Sequence, residues 1–284
     1  MNTRRDARFC VSTTGWVVAD AQETQRVASL QIHTMIQNYS KYTADDQAVW
    51  RTLYERQMEL LPGRASQTYM DGILASGFPD VRIPDFENML NPRLQPITGW
   101  QVVAVPGLIP NRDFFELMAD RKFPATTWLR TRDQLDYLPE PDMFHDTFGH
   151  VPVLTNQHFC DFLQELSRIA LGHVENPDAI DMISRLYWYT VEFGLIREPE
   201  GLRIYGGGIL SSPGETVYSL ESDVPKRHPY DVATLLQTPY IIDRFQERYF
   251  VIDSFEQLFH SIPEIEETLE RQLAVNSQQP TVNI

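Results

Sequence analysis

Cysteine is nearly absent from this chain of 284 residues, which contains only Cys10 and Cys160. Two thiols cannot make a disulfide framework, so the fold must rest on a buried apolar core, and the composition suits a reducing, cytoplasmic setting. Long apolar runs are also missing. No stretch supplies the roughly 20 apolar residues that a membrane-spanning helix requires. The charged opening at residues 1–6 leads into no apolar segment of the kind a secretory signal carries. Basic residues are outnumbered, 24 Lys and Arg against 39 Asp and Glu, for a formal net charge of −15. That balance repels phosphates and excludes a nucleic-acid partner, while a small zwitterionic ligand suits it. There is no internal repeat and no Gly/Ser-rich linker. The expectation is one compact domain over residues 26–275, with a loosely held arm at 1–25 and a polar tail at 276–284.

What is present is mostly helical in its period. Thr43-Ala44-Asp45-Asp46 has the form of an N-terminal cap, and Trp50, Leu53, Tyr54, Gln57 and Leu61 follow as one stripe before Pro62-Gly63 ends it. Phe159, Phe162, Leu163, Leu166, Ile169 and Ala170 fall at the same spacing. Ile180, Ile183, Tyr187, Thr190 and Val191 do so after Pro177-Asp178, closing at Gly194. Ser254-Phe255-Glu256-Gln257 reads as a further capping box, with Pro263 breaking or kinking the helix beyond it. Strand-like pieces are short, at 101–105, 126–129, 202–205 and 249–252, and Gly206-Gly207-Gly208 reads as a tight turn. The fold expected is mainly α with a minor β-sheet.

The densest chemistry lies in Asp142-Met143-Phe144-His145-Asp146-Thr147-Phe148-Gly149-His150-Val151-Pro152. Five residues carry a regular helix about 140° past a full turn, so histidines at i and i+5 do not share a face. Both reach one ion only if the helix ends or loosens between them, and Gly149 with Pro152 supplies that break. Alone, such a pair most often satisfies local hydrogen bonds. Glu192 changes the balance, because Trp188-Tyr189-Thr190-Val191 precedes it and Phe193-Gly194-Leu195 comes after. A carboxylate in so apolar a stretch is costly to bury unless it is paired, protonated or bound to metal. Two histidines and one carboxylate form the facial triad of non-haem Fe(II) oxygenases, which leaves coordination positions open. A closed zinc site would need a fourth ligand, and neither cysteine lies near. A zinc metallohydrolase built on the same three residues stays open at this point, although no Glu stands between the histidines as it does in zincins.

Several segments together resemble the aromatic amino acid hydroxylase family, its bacterial members most of all. They are Leu60-Leu61-Pro62-Gly63-Arg64-Ala65, Val103-Ala104-Val105-Pro106-Gly107-Leu108-Ile109-Pro110, Leu135-Asp136-Tyr137-Leu138-Pro139-Glu140-Pro141-Asp142 with the histidine block, Leu186 to Leu195, Arg203 to Ser212, and Tyr249 to Phe255. They run collinearly from about Tyr42 to His260. The resemblance implies a catalytic domain that binds Fe(II) through His145, His150 and Glu192. It implies a reduced pterin, tetrahydrobiopterin or a relative of it, as cosubstrate with dioxygen. Arg130 would take the amino acid's carboxylate, held by Asp142, while Trp188 and Phe193 wall the ring pocket and Ser211 and Ser212 lie near the substrate's polar end. For the pterin the same resemblance implies stacking on Phe114, backbone contacts at Gly107, Leu108 and Ile109, a water-mediated contact from Asp146, and Tyr187 nearby. Leu138 stands where animal members carry Thr, and the animal regulatory domain and C-terminal oligomerisation helix are not found, so a monomer without allosteric activation is expected. Taken as ordinary residues, Phe114 and Trp188 would be core aromatics and Arg130 a surface cation.

The pocket candidates Trp188, Phe193, Leu138 and Ile242 are apolar. A tyrosine hydroxyl buried there would lack a partner, so L-phenylalanine is the expected substrate and tyrosine its product, in phenylalanine breakdown or tyrosine formation. A catalytically silent homologue acting as a binding protein is the remaining alternative.

Overall fold

Thr43 starts the first described α-helix as its sequence foretells: Thr43 Oγ1 accepts from Asp46 N at 3.1 Å, and Asp46 Oδ2 accepts from Thr43 N at 2.7 Å. Such a cap contributes about 1 kcal/mol. The computed structural model describes residues 34–136, 138 and 140–277. The expected arm at 1–25 lies outside the described residues, as does the tail from 278 onward. From its cap, α1 (Ala44–Leu60) buries Trp50, Leu53, Tyr54 and Gln57, and Leu61 caps its end. Two short helices come next, α2 (Gln67–Ala75) and α3 (Asn91–Thr98). Strand β1 (Gln101–Val105), helix α4 (Asn111–Ala119) and strand β2 (Lys122–Thr126) then form a βαβ unit in which β1 and β2 pair in parallel.

The strand expected at 126–129 therefore lies four residues earlier. Pro124 masks it in the sequence, and a two-stranded sheet tolerates the proline because each strand has an outer edge that needs no N–H donor.

The middle of the chain carries the amphipathic helices α5 (Gln157–Gly172) and α6 (Pro177–Tyr187), which bury the predicted Phe159, Phe162, Leu163, Leu166, Ile180 and Ile183. Strands β3 (Leu195–Glu198) and β4 (Gly201–Ile204) form an antiparallel hairpin, followed by the one-turn helix α7 (Gly207–Leu210) and by α8 (Pro213–Glu221). Then come β5 (Lys226–Pro229), α9 (Val232–Gln237), β6 (Arg248–Ile252), α10 (Phe255–His260) and α11 (Ile262–Ser277). The second sheet has the order β4-β3-β6-β5, with β6 parallel to both neighbours. Strands β3 and β5 escape the sequence reading because β3 continues the apolar run that ends the preceding helix and β5, Lys226-Arg227-His228-Pro229, is polar and ends in proline.

Gly206-Gly207-Gly208 is not a tight turn: Gly206 caps α7 in extended conformation and the run opens a helix. The helix beyond Ser254 breaks before Pro263, as foreseen: α10 ends at His260, and Pro263 sits in the first turn of α11, where its missing N–H costs nothing. That helix runs to Ser277, two residues into the segment read as a tail. The architecture is mainly α with a minor sheet, as the sequence implies.

An aromatic core binds these layers. Phe144 stacks on Phe148 at 4.7 Å, and Trp50 meets Phe144 edge-on at 5.2 Å. The β3–β4 hairpin positions the site. Pairing Leu195 with Ile204 sets Gly194 opposite the chain leaving β4, so Gly194 O accepts from Tyr205 N at 3.2 Å and Gly206 N at 3.1 Å. The segment ending in Glu192 is thereby laid against the glycine run.

Candidate metal centre and its pockets

The two histidines converge because the helix between them widens. Phe144–Gly149 is a π-helical segment, whose i→i+5 bonding brings residues five apart onto one side. Glu192 ends a second such segment, Trp188–Glu192, where Phe193 N donates to Trp188 O at 2.8 Å. The five-residue spacing is met in both of the ways it allows: the helix widens between the histidines and ends at Gly149, with His150 as its C-cap.

His145, His150 and Glu192 form one cluster in which a ligand atom from each lies within 4.8 Å of the others. His150 Nε2 is 3.3 Å from His145 Nε2 and 3.3 Å from Glu192 Oε1, and His145 Nε2 is 3.6 Å from Glu192 Oε2. Donors about 2.0–2.2 Å from a common cation are spaced about 3–3.5 Å from one another, so these separations fit the face of a coordination sphere. The Gly208 N–H helps keep Glu192 ionised, yet buried Glu192 Oε2 has no hydrogen bond of proper geometry among the described residues. A cation bound there would satisfy that oxygen.

The charges agree with a metal-binding set. Burial pushes the His145 imidazole down to about 4, opposed by Glu192 and assisted by His150, so it is neutral and can ligate near neutral pH. For His150, burial works downward but the Glu192 carboxylate outweighs it. Burial would raise the Glu192 carboxyl, and the two histidines hold it below its ordinary value.

Ser211 selects the His145 tautomer. Its hydroxyl donates to Gly207 O at 2.8 Å, so the 2.9 Å contact with His145 Nδ1 must carry the imidazole hydrogen. The Nε2 lone pair then faces the cluster. The glycine run fits tightly against the ligands. A Cβ at Gly207 would lie 2.4 Å from His150 Cε1, and one at Gly206 would lie 2.4 Å from the Glu192 carbonyl oxygen. These glycines serve close approach, since Gly206 has φ −73°.

Arg130 is buried, not a surface cation. Its Nε and Nη2 donate to Asp142 Oδ2 and Oδ1 at 2.8 and 2.9 Å. Asp142 also accepts Arg130 N at 3.0 Å and His145 N at 3.1 Å, tying the guanidinium to the backbone of a metal ligand. Burial would raise the Asp142 carboxyl, but Arg130 holds it low.

The residues assigned to the pterin fall on two clefts. Gly107, Leu108, Ile109 and Asp146 line one of about 380 Å³ with Thr126 and Trp128. Asp146 Oδ2 accepts from Thr126 N at 2.7 Å, and burial pushes its carboxyl up to about 7. Phe114 and Tyr187 meet edge-on at 5.8 Å and line the other cleft, about 360 Å³, with Trp188 and Tyr240. On the substrate side, Trp188 stacks between Phe193 at 4.7 Å and Tyr240 at 4.4 Å. Leu138 is buried and Ile242 half-buried. Ser212 caps α8, its Oγ accepting from Glu215 N at 3.4 Å.

Sequence reasoning missed Tyr240, Gln246 and Glu215. Tyr240 stands two residues before Ile242 and carries no distinguishing signal. The pattern Ser212-Pro213-Gly214-Glu215 points to a capping box rather than to a pocket.

A model of the family described as biopterin-dependent aromatic amino acid hydroxylase matches residues 21–284. The chain is 55% identical over 216 residues to a phenylalanine-4-hydroxylase of Ralstonia nicotianae, covering 76% of this chain and 68% of the relative. The fold is similar to that of Chromobacterium violaceum phenylalanine hydroxylase with bound iron(III) and oxidised 7,8-dihydrobiopterin. That likeness has a TM-score of 0.82 and 47% identity, over 93% of this chain and 95% of that one. A structure of the same enzyme with iron and phenylalanine gives a TM-score of 0.81 at 47% identity, over 89% and 90% of the two chains.

Proposed function

The chain belongs to the biopterin-dependent aromatic amino acid hydroxylases, and we propose that it converts L-phenylalanine to L-tyrosine with dioxygen and a tetrahydropterin at an Fe(II) held by His145, His150 and Glu192. The observation that carries the ligand assignment is the convergence of two imidazole Nε2 atoms, 3.3 Å apart, on the buried Glu192 carboxylate, whose Oε2 lacks a hydrogen-bond partner among the described residues. Iron and reduced pterin, when bound, supply the electrons and the activation of dioxygen, one oxygen atom going to the ring and the other leaving with the oxidised pterin.

The protein's own work is positional. Ser211 keeps the Nε2 lone pair of His145 directed at the metal. Asp142 fixes the plane of the Arg130 guanidinium, which orients the substrate carboxylate by paired, charge-assisted hydrogen bonds. Trp188 and Phe193 wall the ring pocket near the metal ligands in the chain and exclude water there, Trp188 by its edge, since Phe193 and Tyr240 cover its two faces. Gly107, Leu108, Ile109 and Asp146 hold the pterin heterocycle from one side while Phe114 and Tyr187 offer it aromatic surface. Holding reactants in register contributes about 7–11 kcal/mol in favourable cases. A hydroxyl on the substrate ring would face apolar walls, which favours phenylalanine over tyrosine. No described helix is long and apolar enough to cross a membrane. The enzyme works as a monomer in the cytoplasm.

The test is turnover of the Fe(II)-loaded protein with dioxygen and a tetrahydropterin, offering Phe, Tyr and Trp separately and identifying products by chromatography. Tyrosine formed fastest from phenylalanine is the expected result. No hydroxylated product from any of the three overturns the proposal.

A further inference from the structure

One buried carboxyl takes no part in the metal cluster. Glu215 lies in the first turn of α8 and is 0% exposed. Only half of the capping box that its sequence suggests is formed. Ser212 Oγ accepts from Glu215 N, but Ser212 N donates to Ile209 O at 3.0 Å, and the carboxylate turns away into the interior. There Glu215 Oε1 accepts the backbone N–H of Gln246 at 3.2 Å and the hydroxyl of Tyr249.

Gln246, itself buried, passes the connection on. Its Nε2 donates to Ile241 O at 2.6 Å, which settles which end of the amide is oxygen, and its Oε1 accepts the indole Nε1–H of Trp188 at 3.0 Å. Residues 238–247 join α9 to β6 without helix or strand, yet they supply both Gln246 and the Tyr240 ring stacked on Trp188. Something outside the coil must hold it to the precision a ring pocket needs, and α8 does so. Besides the carboxylate, Tyr218 packs on Phe245 at 4.7 Å, and Gly214 leaves the room, since a Cβ there would stand 2.7 Å from the Phe245 ring.

We propose that Glu215 is the positioning residue of the aromatic-ring pocket: through Gln246 it fixes the plane of the Trp188 indole, and so sets which ring is accepted and how firmly it is held during oxygen transfer. The inference rests on the hydroxylase reading above. Without Glu215, two buried donors, Gln246 N and the Tyr249 hydroxyl, lose their acceptor. The coil must then shift to find another. The indole moves with it, because its only polar atom is bound to that coil.

Steady-state kinetics of Glu215→Ala, Glu215→Gln and Gln246→Leu with phenylalanine and tryptophan test this. Glu215→Ala and Gln246→Leu should each raise KM for phenylalanine about tenfold, relax the preference over tryptophan, and oxidise more tetrahydropterin per tyrosine formed. KM for the pterin and the affinity for Co(II), titrated directly, should stay within about twofold, because the hydrogen bonds of Glu215 and Gln246 reach no metal ligand and no residue assigned to the pterin. Glu215→Gln keeps an acceptor oxygen and should recover most of the loss. In a Trp188→Phe background, which has no indole N–H, Gln246→Leu should add little. A poorly folded Glu215→Ala leaves the last comparison to decide: full additivity there overturns the inference. So does an unchanged KM and ring preference, or an equal loss of pterin and metal binding. If the wild-type protein forms no tyrosine, the hydroxylase reading fails separately. The positioning role is then decided by calorimetry of phenylalanine binding to the Co(II)-loaded protein, where equal affinity in wild type and Gln246→Leu overturns it.

Discussion

At the scale of single residues the site is defined as much by missing side chains as by those present. Gly207 faces the His150 ring so closely that one added methyl group would stand 2.4 Å from it. Neither side yields easily, because α7 is anchored through Gly194 and the imidazole packs on Phe123 at 5.3 Å. Gly207→Ala should therefore lower Fe(II) or Co(II) affinity about tenfold or more, with hydroxylation falling in step. A metal titration unchanged from wild type would show that the ring has room to move. The three proposed ligands are legible in the sequence because a carboxylate inside an apolar stretch changes the reading of a histidine pair that alone would satisfy local hydrogen bonds. The glycines are not, since a glycine run indicates a turn until the atoms opposite are known. Ser211 is 66 residues from the histidine it orients, so no local pattern announces the pair.

At the scale of elements, periodicity foretells α1, α5 and α6 because each has one clearly buried stripe. Short strands and wide turns defeat it. The five-residue spacing of the histidines requires an irregular helix and Gly149 marks its end, but only the structure shows that the turn before that end is also widened. Helix α8 carries an element-scale consequence for pH. Burial pushes the Glu215 carboxyl up to about 7 from its ordinary 4.5, against the hydrogen bonds it accepts. The titratable groups facing it are Tyr249 and Tyr218, both shifted upward and neutral in this range. Between those two values the folded state holds a proton that the unfolded state has lost. Stability is therefore greatest at the bottom of the window and falls by about 3 kcal/mol as pH rises through it. Urea unfolding at about pH 5 and about pH 7.5 should show this contribution in the wild type and its loss in Glu215→Gln; identical slopes would mean that Glu215 is ionised throughout.

At the scale of the whole molecule, metal binding and folding are linked. The three ligands come from two segments on either side of α5 and α6, and an ion that joins them binds the folded state alone. Ligand in excess of its dissociation constant by about a hundredfold stabilises by about 2.7 kcal/mol. Adding Fe(II) or Co(II) to chelator-treated protein should raise Tm by several degrees, roughly the shift that this energy gives a chain of this size. In Glu192→Gln the rise should vanish, whereas a wild-type Tm indifferent to metal would contradict the assignment of the site. The net charge of −15 works in the same direction, since the field of the whole molecule favours cations over phosphates.

The segment Phe144–Gly149 is counted at two intervals at once. Phe144 and Phe148, four apart, stack in the core at 4.7 Å, while His145 and His150, five apart, meet at the metal site with Nε2 atoms 3.3 Å apart. A single turn of chain is thus both keystone and catalyst mount. When the protein is heated, the aromatic stack cannot loosen without parting the histidines. Loss of activity on heating should therefore coincide with melting of the core rather than precede it, and activity lost well below Tm would contradict this.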